Sequence, residues 1–245
     1  MTDSFDTTTV GEIVATDFRA AGVFEQFGID FCCGGRRSLA DACRTAGADP
    51  IVVRAALDTI AAGSDDAADD VRQWPLDRLI DHIVATHHAY VRIALPTIAH
   101  HLAKLATVHG ERHPELARVT AAFDKLRHGL QQHLMKEEHV LFPYIRELAT
   151  RTDAHPFVSP FGTVTNPIHM MEREHREAGE ELRLIRELTN GYTPPADGCA
   201  TYRVAFEELA QFERDLHRHV HLENNVLFPD AIALEQRSSS GSSDV

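Results

Sequence analysis

Cysteine is scarce here and poorly placed to form a framework. The chain has four, Cys32, Cys33, Cys43 and Cys199. Two are adjacent and none forms a CxxC pair, which excludes a disulfide scaffold and a zinc ribbon. Long apolar runs are missing too: no stretch approaches the roughly 20 residues that a membrane helix needs, so no membrane span is expected. The N-terminal stretch has neither a basic start nor an apolar core, so no signal peptide is expected and a cytoplasmic location is. Positive charge is short, with 24 Lys and Arg against 37 Asp and Glu and a formal net charge of −13. Phosphate contacts need clustered Lys and Arg, so nucleic acid is not an expected partner. No segment shows the alternation of a β-strand.

Histidine is abundant, at 16 residues, and helical periodicity is widespread. Residues 1–62 read as a small helical domain. Within it, TVGEIVATDFRAAGVFEQFGI has helix-like apolar spacing, DFCCGG breaks the pattern, and two short helices follow. Ser38 and Asp49 are expected N-caps; Gly47 and Gly63 are expected stops. Residues 63–73 are acidic and small and read as a linker. Four long helical patterns then run over about 76–108, 114–150, 167–190 and 198–235, with a loop at 150–167. The expected fold is all-α, an antiparallel four-helix bundle over 74–235 behind a small N-terminal helical domain. Residues 236–245 read as a disordered tail.

The chain repeats one motif. Residues 133–143 read HLMKEEHVLFP and residues 219–229 read HVHLENNVLFP. On a helix, positions i and i+4 share a face, so His133 points with Glu137 and His219 with Glu223, each pair beside an apolar tail. A single HxxxE pair is commonly a solvated contact. Two copies on two helices of one bundle call for a common reason, because facing buried carboxylates repel unless cations lie between them. Each copy also has a histidine upstream at nearly the same distance: His88 lies 45 residues before His133, and His175 lies 44 before His219. A helical hairpin returns the chain to its starting level over such a span. Four imidazoles and two carboxylates suit two iron ions, with the carboxylates bridging, better than a structural zinc; manganese would accept the same ligands.

The other histidines are set aside. His87 and Glu138 adjoin chosen residues but point about 100° away. His139, His217 and His221 break the two-copy symmetry. His100, His101, His113, His128, His155 and His169 are expected to be solvated. His109 shares a face with His88 but lies about 30 Å further along a continuous helix, at the hairpin turn, so it is read as a surface turn or cap.

These motifs resemble those of the iron–sulfur cluster repair di-iron (RIC) family. The HxxxE-VLFP copies look like hemerythrin-type HHE repeats. TVGEIVATDFRAAGVFEQFGIDFCCGG looks like the short domain that precedes them in that family, and THHAYVR, TVHG and MMEREHREAG follow in family order, so the likeness covers roughly residues 8–230. It implies a hemerythrin-like bundle with a di-iron centre held by His88, His133, Glu137, His175, His219 and Glu223. The family also has a histidine at the place of His109. The implied role is restoring iron–sulfur clusters damaged by nitric oxide or oxidants, by supplying iron or handling nitric oxide. Partners would be the damaged iron–sulfur proteins or their assembly machinery, and a homodimer is compatible with the sequence.

Cys32 and Cys33 sit before two glycines, where backbone can turn sharply and approach a partner closely. They are candidate functional thiols that could take a metal or react with nitric oxide; packing as small apolar groups is the alternative. Cys43 is expected in a core and Cys199 to be inert. Three function classes stay open: repair, a nitric oxide or peroxide reductase, and an oxygen or nitric oxide sensor or iron store.

Overall fold

Burial along the helices of the computed structural model follows a three–four rhythm. On one helix the buried positions are His88, Val91, Leu95, Ile98, Leu102, Leu105 and His109; on the next they include Leu116, Val119, Phe123, Leu126, Leu130, His133 and Glu137. A third carries Ile168, Met171, His175, Ala178, Leu182 and Ile185, and a fourth Tyr202, Ala205, Leu209, Phe212, Leu216, His219 and Glu223. Alternating steps of three and four keep these side chains in one stripe facing the core, and toward the end of the fourth helix burial widens until every residue from His219 to Asn224 is buried. His88, His133, Glu137, His175, His219 and Glu223 lie within these stripes.

The structure describes residues 8–62, 71–150 and 161–240. Its helices are α1 (Val10–Thr16), α2 (Ala20–Gln26), α3 (Leu39–Ala46), α4 (Pro50–Ala62), α5 (Leu76–His82), α6 (Ala89–His109), α7 (Glu115–Lys136), α8 (Phe142–Thr150), α9 (Thr165–Leu188), α10 (Ala200–Leu222) and α11 (Phe228–Ser240). Three π-helical segments, Ile83–His88, Glu137–Leu141 and Glu223–Leu227, join α5 to α6, α7 to α8 and α10 to α11. No β-sheet occurs among the described residues, only an isolated bridge between Thr9 and Ser38. No described helix is long and apolar enough to cross a membrane.

The chain divides into two compact units, Ile80–His217 and Met1–Leu79 with Arg218–Val245. In the first, cross-helix contacts run in opposing order. His88 meets Glu138 and Asp81 meets Arg146; His133 meets Glu174 and Lys125 meets Glu181; His87 meets Asp215 and His101 meets Glu208. Each pairing descends one helix while climbing the other, so the neighbours are antiparallel, as a bundle with short connections requires. Rings of Tyr90, Phe123 and Phe212 close its middle.

In the second unit, Thr9 caps α1 through a capping box: the Thr9 hydroxyl accepts from the Glu12 amide at 3.2 Å, and the Glu12 carboxylate accepts from the Thr9 amide at 2.8 Å. The first apolar pattern forms two helices, not one. The Asp17 carboxylate takes the Arg19 amide at 3.0 Å and breaks the run between α1 and α2. Ser38 caps α3 and Gly47 ends it at φ 68°, where a residue without Cβ fits.

Several boundaries differ from the sequence reading. Residues 63–70 of the expected linker, Gly63 among them, lie outside the described residues, and Val71–Gln73 form a 3₁₀ turn. Of the expected loop, 151–160 lie outside too, and α9 starts at Thr165 because Asn166 anchors its side chain on the Phe161 carbonyl at 2.8 Å. The expected tail is helical as far as Ser240; residues 241–245 lie outside. The unit boundary falls at Leu79 rather than in the linker, and the chain from Arg218 on joins the N-terminal helices.

Candidate metal centre

Glu137 is fully buried in the bundle unit, and burying a lone carboxylate costs several kcal/mol unless something neutralises it. Its neighbours are the ring nitrogens of two histidines. His88 Nε2 lies 3.4 Å from one carboxylate oxygen and His133 Nε2 lies 3.2 Å from the other. His175 completes the group, its Nε2 being 3.0 Å from His133 Nε2. The ligand atoms of His133, Glu137 and His175 all lie within 4.8 Å of one another.

The outer faces of the rings decide what the inner ones present. His88 Nδ1 donates to the Glu138 carboxylate at 2.6 Å, and His133 Nδ1 donates to the Glu174 carboxylate at 3.0 Å. A carboxylate that takes the Nδ1 proton leaves Nε2 with its lone pair outward. Both lone pairs then face Glu137 oxygens, acceptor against acceptor. A cation between them resolves this, so the donor set fits a metal ion, and nitrogen and oxygen donors without thiolate are compatible with iron or manganese. The supporting carboxylates are held in turn. Lys136 reaches Glu174 at 2.5 Å and Arg92 reaches Glu138 at 2.6 Å. The hydrogen bond from His133 holds Glu174 down to about 2. Burial pushes Glu138 up, but the bonds from His88 and Arg92 outweigh it and its carboxyl stays below the ordinary range.

In the other unit, His219 and Glu223 are both fully buried, and His219 Nε2 lies 3.0 Å from a Glu223 oxygen. The sequence repeat therefore recurs in three dimensions: His133 lies in the last turn of α7 as His219 does in that of α10, and Glu137 and Glu223 each open the π-helical segment that follows. A π turn adds one residue to the ring and spoils the regular ladder, a geometry that proteins keep mostly at functional sites.

The Cys-Cys turn is built on the same unit. One Asp30 oxygen accepts the amides of Cys32 at 3.1 Å and Cys33 at 2.9 Å. Asn225 donates to the carbonyls of Phe31 and Cys32 at 3.3 and 3.1 Å, and Asn224 to that of Cys32 at 3.3 Å. A Cβ on Gly35 would fall 2.1 Å from the Asn225 side chain, so only glycine allows this seat. The His221 ring packs on Phe31 and Phe18, and this burial lowers it to about 4. Cys33 is half-buried and Cys32 buried, and the adjoining Cys33 thiol together with burial pushes the Cys32 thiol well up.

Several residues that the sequence reading set aside are part of these arrangements. Glu138, in the π-helical segment after α7, meets His88 and gives that candidate ligand its outer partner. His87 is buried against Asp215 at 2.9 Å, and His221 is buried rather than a surface residue. His109 is buried, not on a surface turn. His101 and His113 are paired with carboxylates rather than free in solvent. Glu174 adjoins His175 by one position, which is the available sequence signal for it: an acid next to a ligand candidate, facing the partner helix. Cys43 is fully buried, as expected; His155 lies outside the described residues.

Comparison with known proteins gives the class first. Residues 79–231 match the hemerythrin HHE cation binding domain, and residues 6–61 match a domain of unknown function, DUF542. The chain belongs to the hemerythrin HHE cation-binding family, in its branch with this N-terminal domain. More particularly, it is 35% identical over 226 residues, 92% of this chain and 97% of the relative, to the "Iron-sulfur cluster repair protein YtfE" of Escherichia coli O157:H7. It is 36% identical over 227 residues, with the same coverage, to proteins of that name from Salmonella paratyphi B and Salmonella newport.

Proposed function

We propose that this protein repairs iron–sulfur clusters and does so with two iron ions held by His88, His133, Glu137, His175, His219 and Glu223, Glu137 and Glu223 bridging. The observation that carries the reading is the geometry at buried Glu137, whose two oxygens face the Nε2 atoms of His88 and His133 while the Nδ1 atoms of those rings meet Glu138 and Glu174. The doubled motif extends it to His219 and Glu223, and the name shared by the relatives supplies the repair role. Bound iron supplies a redox-active, exchangeable cation. The protein's residues supply the fixed donors, hold the ring protons outward on Glu138 and Glu174, and keep bulk water off Glu137. A cleft of about 210 Å³ between α7 and α9, with Lys136, Glu174 and Glu177 in its lining, reaches His133 from outside. Through it iron or a small molecule such as nitric oxide would meet the centre. Cys32 and Cys33 serve as thiols for iron or nitric oxide, and the clients are damaged iron–sulfur proteins in the cytoplasm.

Metal analysis of protein made in iron-replete cells tests this directly. Two irons per chain are expected in the wild type and a sharp loss in His133→Ala. Metal content below one per chain, indifferent to that substitution, would overturn it. Stoichiometric recovery of a damaged cluster enzyme, without turnover of nitric oxide or peroxide by reductant, separates repair from the reductase class.

A further inference from the structure

At the far end of the bundle unit another buried histidine faces a thiol. His109 ends α6, is 5% exposed, and directs Nε2 at the Cys199 sulfur 3.3 Å away. Its Nδ1 is buried without a hydrogen-bond partner among the described residues. Tyr202 and His113 set the ring edge-on, their centroids 5.5 and 6.4 Å from it. Cys199 precedes the first residue of α10, a helix of 23 residues, and is exposed. Thus an accessible sulfur stands at a helix N-terminus with a buried imidazole aimed at it. Such surroundings favour the thiolate, which is the nucleophilic form.

We infer that Cys199 and His109 form a thiol–disulfide exchange site for small disulfides such as glutathione disulfide, separate from the iron ligands. The Cys199 proton passes to His109 Nε2. The thiolate then attacks one sulfur of the disulfide, a bond forms between Cys199 and that sulfur, and the original S–S bond breaks. The departing thiolate takes up a proton, and one disulfide has replaced another without net oxidation. Cys199 is the one cysteine between residues 80 and 217, so its unit offers no second thiol to resolve the mixed disulfide, and the adduct persists until an outside thiol removes it. The hydrogen bond from His109 draws the thiol down to about 7, aided by the Tyr202 and Thr201 amides. The other charged groups around the site come from each neighbouring element: Arg112 and His113 from the turn after α6, Glu115 from α7, Asp197 from the turn before α10, and Arg203 from α10.

The test is the rate of Cys199 adduct formation with glutathione disulfide in the full chain, read by peptide mass spectrometry from acidic to alkaline pH. The wild-type profile is expected to reach half its maximum near pH 7. In His109→Gln it should move up by about one unit or more, with a reaction slower at neutral pH by about two- to fivefold or more, since the thiolate fraction falls while the intrinsic nucleophilicity of the thiolate rises. Cys199→Ser should remove the adduct from that peptide. A wild-type half-point at or above the ordinary thiol value of about 8.5 overturns the inference, and needs no variant to fold. So does an unchanged profile in a folded His109→Gln.

Discussion

His88 and His109 stand on one helix and one buried stripe, yet they belong to different chemistries. His88 meets carboxylates on both ring nitrogens, Glu138 outside and Glu137 inside. His109 meets a thiol on one nitrogen, and its other lacks a hydrogen-bond partner among the described residues. Position on the stripe dictates that both be buried; only the partner decides what burial is for. An acid on the outer nitrogen makes the ring a directed lone pair, suited to a cation. A thiol makes it a proton acceptor.

The comparison breaks most sharply at Glu137. Glu137→Gln is expected to lose both irons together, because the residue is proposed to bridge them; loss of only one would contradict bridging. The same change should stabilise the metal-free protein by about 1–3 kcal/mol, since it removes a buried charge and its amide nitrogen can donate to one of the two ring lone pairs that the carboxylate can only oppose. Chelator-treated samples compared by thermal unfolding would show it. A lower melting temperature for the metal-free variant would mean that the rings carry protons toward Glu137. His109→Gln should leave the iron count as it is.

His221 is a buried histidine of a third kind, with aromatic rings and an amide around it and no carboxylate among the contacts described above. Burial lowers its folded value to about 4, against 6.5 ordinarily. Above pH 6.5 both folded and unfolded chains hold it neutral and nothing is lost. From 6.5 down to 4 the unfolded chain accepts a proton that the folded one refuses, so stability falls through that window by up to about 3 kcal/mol. Denaturant unfolding at pH 7 and pH 4.5 should show a smaller difference in His221→Asn than in the wild type. Equal differences would show that the ring gains water or a counter-charge as the pH falls.

What was legible in the sequence follows the same division. Helix identity and buried faces were legible, because the three–four spacing of apolar residues determines both. His133–Glu137 and His219–Glu223 could be read because they are local pairs at fixed angular spacing. Glu138, Glu174 and the His109–Cys199 pair could not, because each is joined to a partner on another element, 41 to 90 residues away along the chain, and periodicity does not report which flank of one helix meets which flank of the next. His109 differs from the surface residue its distance from His88 suggests, because it continues the stripe Val91, Leu95, Ile98, Leu102, Leu105, and apolar phase, not distance along the helix, determines burial. The π-helical segments left no mark in composition.

The supporting acids give a smaller effect than Glu137. Glu174→Ala removes the group that fixes the His133 tautomer, and iron affinity should fall about 10–100-fold without abolishing the site. Competition against a chelator of known affinity measures it. Glu138→Ala should act alike through His88. No change in either would mean that the rings are oriented by packing alone, as His88 is by its stacking on Phe142 at 5.6 Å.

The smallest expected effect comes from a polar contact outside the stripes. The Thr9 side chain and Glu12 complete a capping box in exposed surroundings, where water can replace either partner. Thr9→Ala should therefore cost only about 1 kcal/mol of stability. The loop beside it keeps its backbone ties, Val10 to the Arg37 carbonyl at 3.0 Å and Gly11 to that of Gly35 at 2.8 Å. Because those ties seat the Cys-Cys turn and the hydroxyl does not, the iron count and the Cys199 profile should both be unmoved. A loss much larger than this, read from denaturant midpoints, would show that the Thr9 cap, and not the Asn225 clamp, holds the turn; substituting Asn225 by Ala in the same assay then ought to be the milder change.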